Sequence, residues 1–256
     1  MRSFIAFFKK ELLDQLRSGK LAVLGLLFVF LGVMNPAIAK LTPWLLEAFA
    51  DSLAESGMTV TAVTVSAMDS WMQFFKNIPI GLIAFALLEG GILTKEYASG
   101  TLLLSLTKGV ARYKVVVSKA VVLILLWTVG FGACFGITYG YNAYFWDNSV
   151  ARGLFFSALS WWLFGVLVIS LMILFSTVVS TSGAVCLGTG GVIVVFLLLG
   201  LIPPVAKILP TTLADGNSLI YGVKTVADYL AALIVTAAFS LGAFAVSIPI
   251  FNKKQL

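Results

Sequence analysis

Histidine is absent from the sequence, and charged side chains are rare. Without histidine, the chain cannot hold a serine, histidine and aspartate triad, a zinc-protease motif of the H-E-x-x-H kind or a histidine proton relay. Only 11% of the residues are charged and 60% are hydrophobic, whereas soluble chains carry about 25% charged residues. The low fraction of charged residues and the high fraction of hydrophobic residues exclude a soluble globular domain and predict an integral membrane protein.

Reactive groups of side chains are scarce as well. Cys134 and Cys186 both fall inside apolar runs, so we interpret them as packing residues rather than as a disulfide framework. The sequence has no G-x-x-x-x-G-K-S/T phosphate loop, no pattern of metal ligands and no nucleophile with a base. We therefore expect no catalytic residue, no cofactor and no metal in this chain. Any energy from ATP must come from a partner.

Six apolar runs come close to, or exceed, the roughly 20 residues that a helix needs to cross a bilayer. The sequence therefore predicts an all-α membrane fold, a single transmembrane domain. We expect the first run to end at Asn35-Pro36, because proline removes a hydrogen-bond donor, and Thr42 with Pro43 to start another helix. The predicted spans are residues 21–39, 78–93, 115–142, 154–178, 184–202 and 228–250.

The distribution of lysine and arginine predicts the orientation. Twelve of the seventeen basic residues lie in residues 1–20, residues 94–119 and the C-terminal tail, which places both termini in the cytoplasm. Residues 40–77, with a net charge of −2, and residues 203–227 are then extracellular. The latter segment is apolar yet broken by prolines, which favours short re-entrant helices. Charges spread over loops in this way orient a chain and do not indicate nucleic-acid binding.

Residues 1–20 form a predicted amphipathic helix at the membrane interface. Phe4, Ile5, Phe8, Leu12 and Leu16 share one helical stripe, and most of the charged residues lie elsewhere. Its apolar face would contact lipid and its basic face anionic headgroups. A simple membrane anchor would explain the same pattern.

The polar segment 94–119 separates the second and third apolar runs. Gly100 is expected to end the incoming helix, and Thr101 to cap a short amphipathic helix over residues 102–107, which Gly109 ends. Such a helix would lie across the membrane surface between two spans.

Glu89 is the acid placed well within an apolar run. A carboxylate there is costly unless it faces protein or water. We expect it to reach the surface or to pair with Lys95 or Arg112, and a transport role is the alternative.

A stripe of small residues marks the third span. Its glycines recur every four residues and allow close approach of another helix. That helix could belong to the same chain or to a second chain of the same kind. The glycines are Gly132, Gly136 and Gly140.

The polar segment resembles the cytoplasmic loop of type-2 ABC exporter permeases. The resemblance rests on Glu96, the Gly100-Thr101 pair, a leucine-rich turn, the run from Gly109 to Arg112, and Lys119. In that family the loop forms a coupling helix that docks on a separate ATPase. The resemblance implies an ATPase-coupling role for Glu96, Gly100, Thr101, Leu104, Arg112 and Lys119.

The N-terminal run FFKKELLDQLRSGK is similar to the elbow helix of the same family. This likeness implies a place beside the ATPase contact. Its candidate residues are Lys10, Glu11 and Arg17.

The resemblance covers the N-terminal tail, the polar segment and the C-terminus, and it implies a permease subunit of an ATP-driven exporter in the plasma membrane. Two ATPase subunits would bind ATP and Mg²⁺, and a second permease, most simply an identical copy, would complete the path. The apolar interior suits a hydrophobic or amphipathic substrate such as a peptide, an antimicrobial, a drug or a lipid. The alternatives are an ion- or proton-coupled secondary transporter, a sodium-extruding ABC permease, and a membrane enzyme or assembly factor.

Overall fold

A computed structural model of the chain describes residues 2–50, 64–107 and 109–254. These residues are helical, and no strand occurs among them. Six of the helices are long and apolar enough to cross a membrane, at the six predicted places, which confirms the six-span all-α prediction. They are α2 (Lys20–Ala48), α3 (Ala67–Glu89), α6 (Arg112–Phe145), α7 (Leu154–Val178), α8 (Ser182–Leu199) and α11 (Ala227–Lys253).

Shorter helices lie at the two ends of this bundle. One end, the terminal end, holds α1 (Arg2–Arg17), α4 (Thr94–Ser99), α5 (Thr101–Thr107) and the last turn of α11. The predicted break between the fifth and sixth spans is also a set of short helices. These are α9 (Pro203–Ala206), a 3₁₀ turn at Pro210–Ala214 and α10 (Gly216–Ile220).

Helix α2 continues well past the predicted end at Asn35-Pro36. It passes through Pro36 and Pro43 and ends at Ala48. Thr42 does not cap a new helix, because its hydroxyl donates to the Ile38 carbonyl inside α2, at 2.8 Å. In apolar surroundings the remaining backbone groups stay hydrogen-bonded within the helix even where proline removes one donor. The helix predicted to start at Thr42 and Pro43 would continue through Asp51 and Glu55. That part falls within residues 51–63, outside the described residues.

Helix α3 begins earlier than predicted, within the segment 40–77 that the sequence assigned to an outer loop. Ser66 and Asp69 form a capping box: the Ser66 hydroxyl accepts from the Met68 backbone amide at 3.2 Å, and the Asp69 carboxylate accepts from the Ser66 amide at 2.8 Å. The added turns bring Trp71 and Phe74 into the core, where both are fully buried.

Trp127 occupies the centre of the core between α2, α3, α6 and α7. Its indole N–H donates to the Trp162 carbonyl at 3.1 Å. The rings of Phe28 and Phe85 meet it edge-on, each 5.8 Å away, a favoured geometry for aromatic pairs. Gly165 of α7 faces the same indole, and any side chain at that position would collide with it. The glycine therefore sets the close approach of α6 and α7.

A chain of polar side chains crosses the bundle between α3, α2 and α6. The Asn77 amide donates to Asn35 Oδ1 at 2.9 Å, and the Asn35 amide donates to the Thr138 hydroxyl at 3.2 Å. Thr138 in turn donates to the Gly32 carbonyl at 3.0 Å. Interhelical hydrogen bonds of this kind hold membrane helices together where lipid gives no hydrophobic driving force.

Candidate functional site

Four charged side chains from three helices meet at the terminal end of the bundle. We call Lys10, Glu11, Glu96 and Lys119 the ion cluster. Lys119 Nζ lies 2.7 Å from Glu11 Oε2 and 3.1 Å from Glu96 Oε2. Lys10 Nζ lies 2.5 Å from Glu96 Oε1 and 3.0 Å from Glu11 Oε1. Each carboxylate thus bridges two ammonium groups, and the cluster joins α1, α4 and α6.

The ion cluster is balanced in charge and largely buried. Lys119 is 1% exposed and Glu11 is 4% exposed. A buried charge costs several kcal/mol unless it is paired, so each member depends on the others. Burial alone would lower the pKa of Lys10, but its hydrogen bond to Glu96 and the charges of Glu11 and Glu96 raise this pKa above its ordinary value. Lys10 therefore stays charged at neutral pH.

The carboxylates of this region carry lysine partners. Oxygens of Glu11, Asp14 and Glu96 lie within 4.8 Å of one another, a spacing that could hold a metal ion. Lys10 contacts all three of these residues, its contact with Asp14 being 3.1 Å. We therefore interpret the arrangement as a network of side-chain ion pairs, in which lysine supplies the positive charge.

A second buried ion pair secures the end of α3. The Glu89 carboxylate is fully buried, accepts from Gln15 Nε2 at 2.7 Å and pairs with Lys20 Nζ at 3.0 Å. The predicted partners, Lys95 and Arg112, are wrong, because the contacts to Glu89 come from Gln15 of α1 and from Lys20, the first residue of α2.

Gln15 and Lys20 were not predicted as partners of Glu89, although the pattern of α1 contained a signal for Gln15. Phe7, Glu11 and Gln15 recur every four residues and form the buried face of α1. Two polar residues on one face of a short amphipathic helix indicate a face that docks on protein. Ile5 and Leu16, from the predicted apolar stripe, are exposed, as a lipid-facing stripe requires.

The backbone of the polar segment bends where the sequence predicted. Helix α4 ends at Gly100, which has a left-handed φ of +69°, and α5 ends before Gly109, with a φ of +85°. Thr101 is the first residue of α5 rather than its cap, and its hydroxyl lies 2.8 Å from that of Ser99. Leu104 belongs to α5, but its side chain lies outside the part of the chain that the structure describes.

Helix α5 has one buried and one exposed leucine. Leu102 is buried against the bundle, whereas Leu103 is 51% exposed. The helix is therefore anchored on one side and presents an apolar side chain on the other. Its role as a coupling helix remains a prediction.

Arg112 lies outside the ion cluster and binds the end of the last span. Its Nη1 atom donates to the backbone carbonyls of Phe251, Asn252 and Lys254 at 3.1, 3.1 and 2.6 Å. A cation at the C-terminus of a helix satisfies free carbonyls and complements the helix dipole. Arg17 is exposed in the last turn of α1 and does not join these contacts.

No described residue packs closely against the glycine stripe of the third span. Gly132, Gly136 and Gly140 are exposed, and a Cβ built on any of them would meet nothing within 4 Å. Intramolecular packing of this stripe therefore has no support from residues 2–50, 64–107 and 109–254. On the same helix, Gly130 makes the close approach instead, to the ring of Phe28. Contact of the stripe with a second permease stays a prediction.

Comparison with known proteins gives one family. Residues 5–242 match the model of a family described as ABC-2 family transporter protein. No curated protein matches the chain. The matched residues include α1, the ion cluster and α5, and they reach into all six long helices.

Proposed function

Since the chain belongs to the ABC-2 transporter family, and is thus a multi-pass membrane subunit of an ABC transporter, we propose that it is the permease of an ATP-driven exporter. A separate ATPase provides the energy, and permeases of this family work in pairs. In the proposed assembly two ATPase copies bind ATP and Mg²⁺, and two copies of this chain form the path. The assembly lies in the plasma membrane with both termini in the cytoplasm.

The observation that carries the proposal is the position of the ion cluster next to α5. Glu96 lies four residues before Gly100, where the chain turns into α5, and is held by Lys119 of α6 and Lys10 of α1. A force on α5 would pass through the short helix α4 to the cluster. Because separating buried charges costs several kcal/mol, the cluster would move as a unit and carry α1 and α6 with it.

Arg112 extends this connection to the last span. It is the first residue of α6 and holds the carbonyls at the end of α11. A displacement of α6 would therefore also move α11. In the proposed mechanism, closure of the ATPase pair shifts these helices together and changes how the two permeases pack.

A hydrophobic or amphipathic substrate suits this bundle better than an ion. Among the described residues, the buried carboxylates Glu11 and Glu89 lie at the terminal end and are each paired with lysine. The polar groups of Asn35, Asn77 and Thr138 bond to one another. Coupling to protons or sodium usually uses ionisable side chains near the middle of the membrane, and the carboxylates of Glu11 and Glu89 lie at the end of the bundle instead.

The exposed side of α5 provides the test. The full-length permease would be purified with a tag from its native membrane, and copurifying ATPase would be measured by ATP hydrolysis. Leu103→Glu should remove most of the ATPase, because a carboxylate would replace an apolar contact, while Leu103→Met should retain it. In inside-out vesicles, the first variant should also lose ATP-dependent uptake of a fluorescent amphipathic peptide and of a labelled phospholipid. Equal copurification and uptake by both variants would exclude α5 as the docking element.

A further inference from the structure

An apolar cavity of about 470 Å³ lies within one chain, between α3, α7 and α8. The 3₁₀ turn at Pro210–Ala214 contributes to its wall. Its volume falls in the range of roughly 300–1,000 Å³ that is typical of pockets for drug-sized ligands. Among the described residues that line it, there is no aspartate, glutamate, lysine or arginine.

The cavity opens sideways, between α3 and α8. Its floor is made of buried side chains, among them Leu82 and Phe164, while Ile83 of α3 and Val194 of α8 are more than half exposed at its edge. A molecule in the surrounding apolar phase could therefore enter without crossing a polar surface.

Two polar groups in the wall lack partners. Trp161 and Thr189 both line the cavity and are each 3% exposed. Neither the Trp161 indole nitrogen nor the Thr189 hydroxyl has a hydrogen-bond partner among the described residues. By contrast, the indole of neighbouring Trp162 donates to Thr128, at 3.0 Å.

Such unpaired groups are unfavourable, and the described residues hold others, among them Asn142 and Ser160. A buried hydroxyl or N–H without a partner loses its hydrogen bonds to water and gains none in return, and most buried polar groups are hydrogen-bonded. An indole N–H can only donate, and a hydroxyl can donate or accept. Both atoms are shielded from the cavity, and a small side-chain shift would let each of them bond to an oxygen acceptor on a bound molecule.

We propose that this cavity binds an alkyl or acyl chain that carries an uncharged oxygen acceptor, such as an ester or amide carbonyl. The hydrocarbon part fills the apolar space, and oxygen accepts from the indole of Trp161 and from the hydroxyl of Thr189. A charged group is excluded, because the wall offers no countercharge to offset its loss of water. Binding itself requires neither ATP nor a partner; as a path for exported substrate, the site depends on the proposed function.

Photolabelling tests this binding directly. The full-length permease in phosphatidylcholine nanodiscs, without ATP or ATPase, would be irradiated with one of two diazirine probes, a monoacylglycerol or a phosphatidylcholine. Mass spectrometry would locate the labelled peptides. The monoacylglycerol represents a free amphiphile and the phosphatidylcholine a bilayer lipid, so the two probes distinguish the sources of the chain. Because the assay is independent of the ATPase, it can succeed or fail separately from the docking experiment on α5.

Two neighbouring glycines give a matched pair of variants. Gly190 lines the cavity and Gly191 does not, and a Cβ on either would meet nothing within 4 Å. Gly190→Leu should fill the space and reduce labelling of the α3, α7 and α8 peptides roughly tenfold or more. Gly191→Leu should label like the native protein. Equal labelling of the two variants, or labelling of these peptides by neither probe, would overturn the proposal.

Removal of the polar groups tests the oxygen contact. Thr189→Val keeps the shape of the side chain. It should raise the probe concentration that gives half-maximal labelling by about fivefold, the loss expected for one hydrogen bond of about 1 kcal/mol. Trp161→Phe should do the same, and its folding can be checked by its melting temperature. Trp162→Phe is the matched control. If the probe concentration at half-maximal labelling is unchanged in both Thr189→Val and Trp161→Phe, hydrocarbon packing alone holds the probe. That result would overturn the proposed oxygen contact.

Discussion

Lys119 and Glu11 stand 108 positions apart in the sequence and form a buried ion pair of 2.7 Å. Lys119 belongs to α6 and Glu11 to α1. The pair therefore fixes the N-terminal helix to a long span, directly beside the helix that carries Glu96. In the proposed assembly this is the connection through which movement of α5 reaches the bundle.

Exchange of the two charges tests this pairing. Glu11→Lys or Lys119→Glu alone should destabilise the protein by about 3–5 kcal/mol, because each leaves like charges together in a buried place. The double variant should lose less than the sum of the two single losses, since it restores one positive and one negative partner, although each exchanged charge then lies beside a like charge, Lys10 or Glu96. Thermal unfolding in detergent would measure all three, with exposed Lys9→Glu as a control. If the two single losses simply add in the double variant, the two side chains do not interact as a pair.

Glu89 should be needed for stability rather than for transport. Glu89→Gln keeps the size of the side chain but removes the charge that Lys20 pairs with. Loss of charged hydrogen bonds should cost about 1.5–3 kcal/mol and lower the melting temperature, while the surviving protein retains ATP-dependent transport. ATP-dependent uptake into inside-out vesicles, normalised to the amount of folded protein, measures whether transport is retained. If transport were lost at unchanged stability, the secondary-transporter alternative would gain.

The glycines of α6 and α7 should respond differently to alanine. Gly165→Ala places a methyl group against the Trp127 ring and should destabilise the protein by about 1–3 kcal/mol through overpacking. Gly136→Ala meets open space and should leave the monomer stable. Melting temperatures of the two variants test this contrast directly.

The same stripe can be tested for contact between copies. If Gly136 lies in an interface with a second permease, Gly136→Leu should shift the oligomer toward smaller species in native mass spectrometry, while the fold is retained. An unchanged oligomer distribution would place the interface elsewhere.

The pH dependence of the segment between α8 and α11 should follow Asp215. Burial raises the pKa of this carboxyl, but hydrogen bonds from Lys224, at 2.7 Å, and Ser218 outweigh burial and hold the pKa below its ordinary value. A lowered pKa means that the stabilisation is complete above the ordinary pKa of about 3.9 and is lost as the pH falls through the lower folded value. The effect is modest, because both side chains are more than a third exposed.

The measurement compares native protein and Asp215→Asn from pH 6 to pH 3. The native protein should melt at the higher temperature at pH 6, and the difference should shrink toward pH 3. Lys224→Met should likewise melt at a lower temperature than the native protein at pH 6. A constant difference over the whole range would exclude Asp215 as the titrating group.

Local features of the fold were predictable from the sequence. Gly100 and Gly109 end helices because only neighbouring residues and backbone sterics decide such bends. The six spans follow from hydrophobic length, which the bilayer thickness sets. The end of α2 was not predictable in this way, because a buried helix can retain its course through Pro36 when every other backbone group must stay bonded.

The sequence predicted residues of the candidate site but not the contacts between them. All four members of the ion cluster, Lys10, Glu11, Glu96 and Lys119, were named from the sequence, but not that they meet, and Gln15 and Lys20 were missed. Arg112 was named for the coupling loop, yet it binds the end of α11. Each of these partnerships depends on which helix faces lie against each other, and the sequence pattern of one helix does not specify its neighbour.

By itself, the sequence determined that this chain is a membrane protein of six helices with a bent polar segment between the second and third, because hydrophobicity and backbone freedom act over short distances. The tertiary structure alone decided which buried charges neutralise each other, which glycines are packed and which are free, and where two polar groups meet an apolar cavity. Those outcomes depend on contacts between residues tens to more than a hundred positions apart, which only the packed bundle brings within reach.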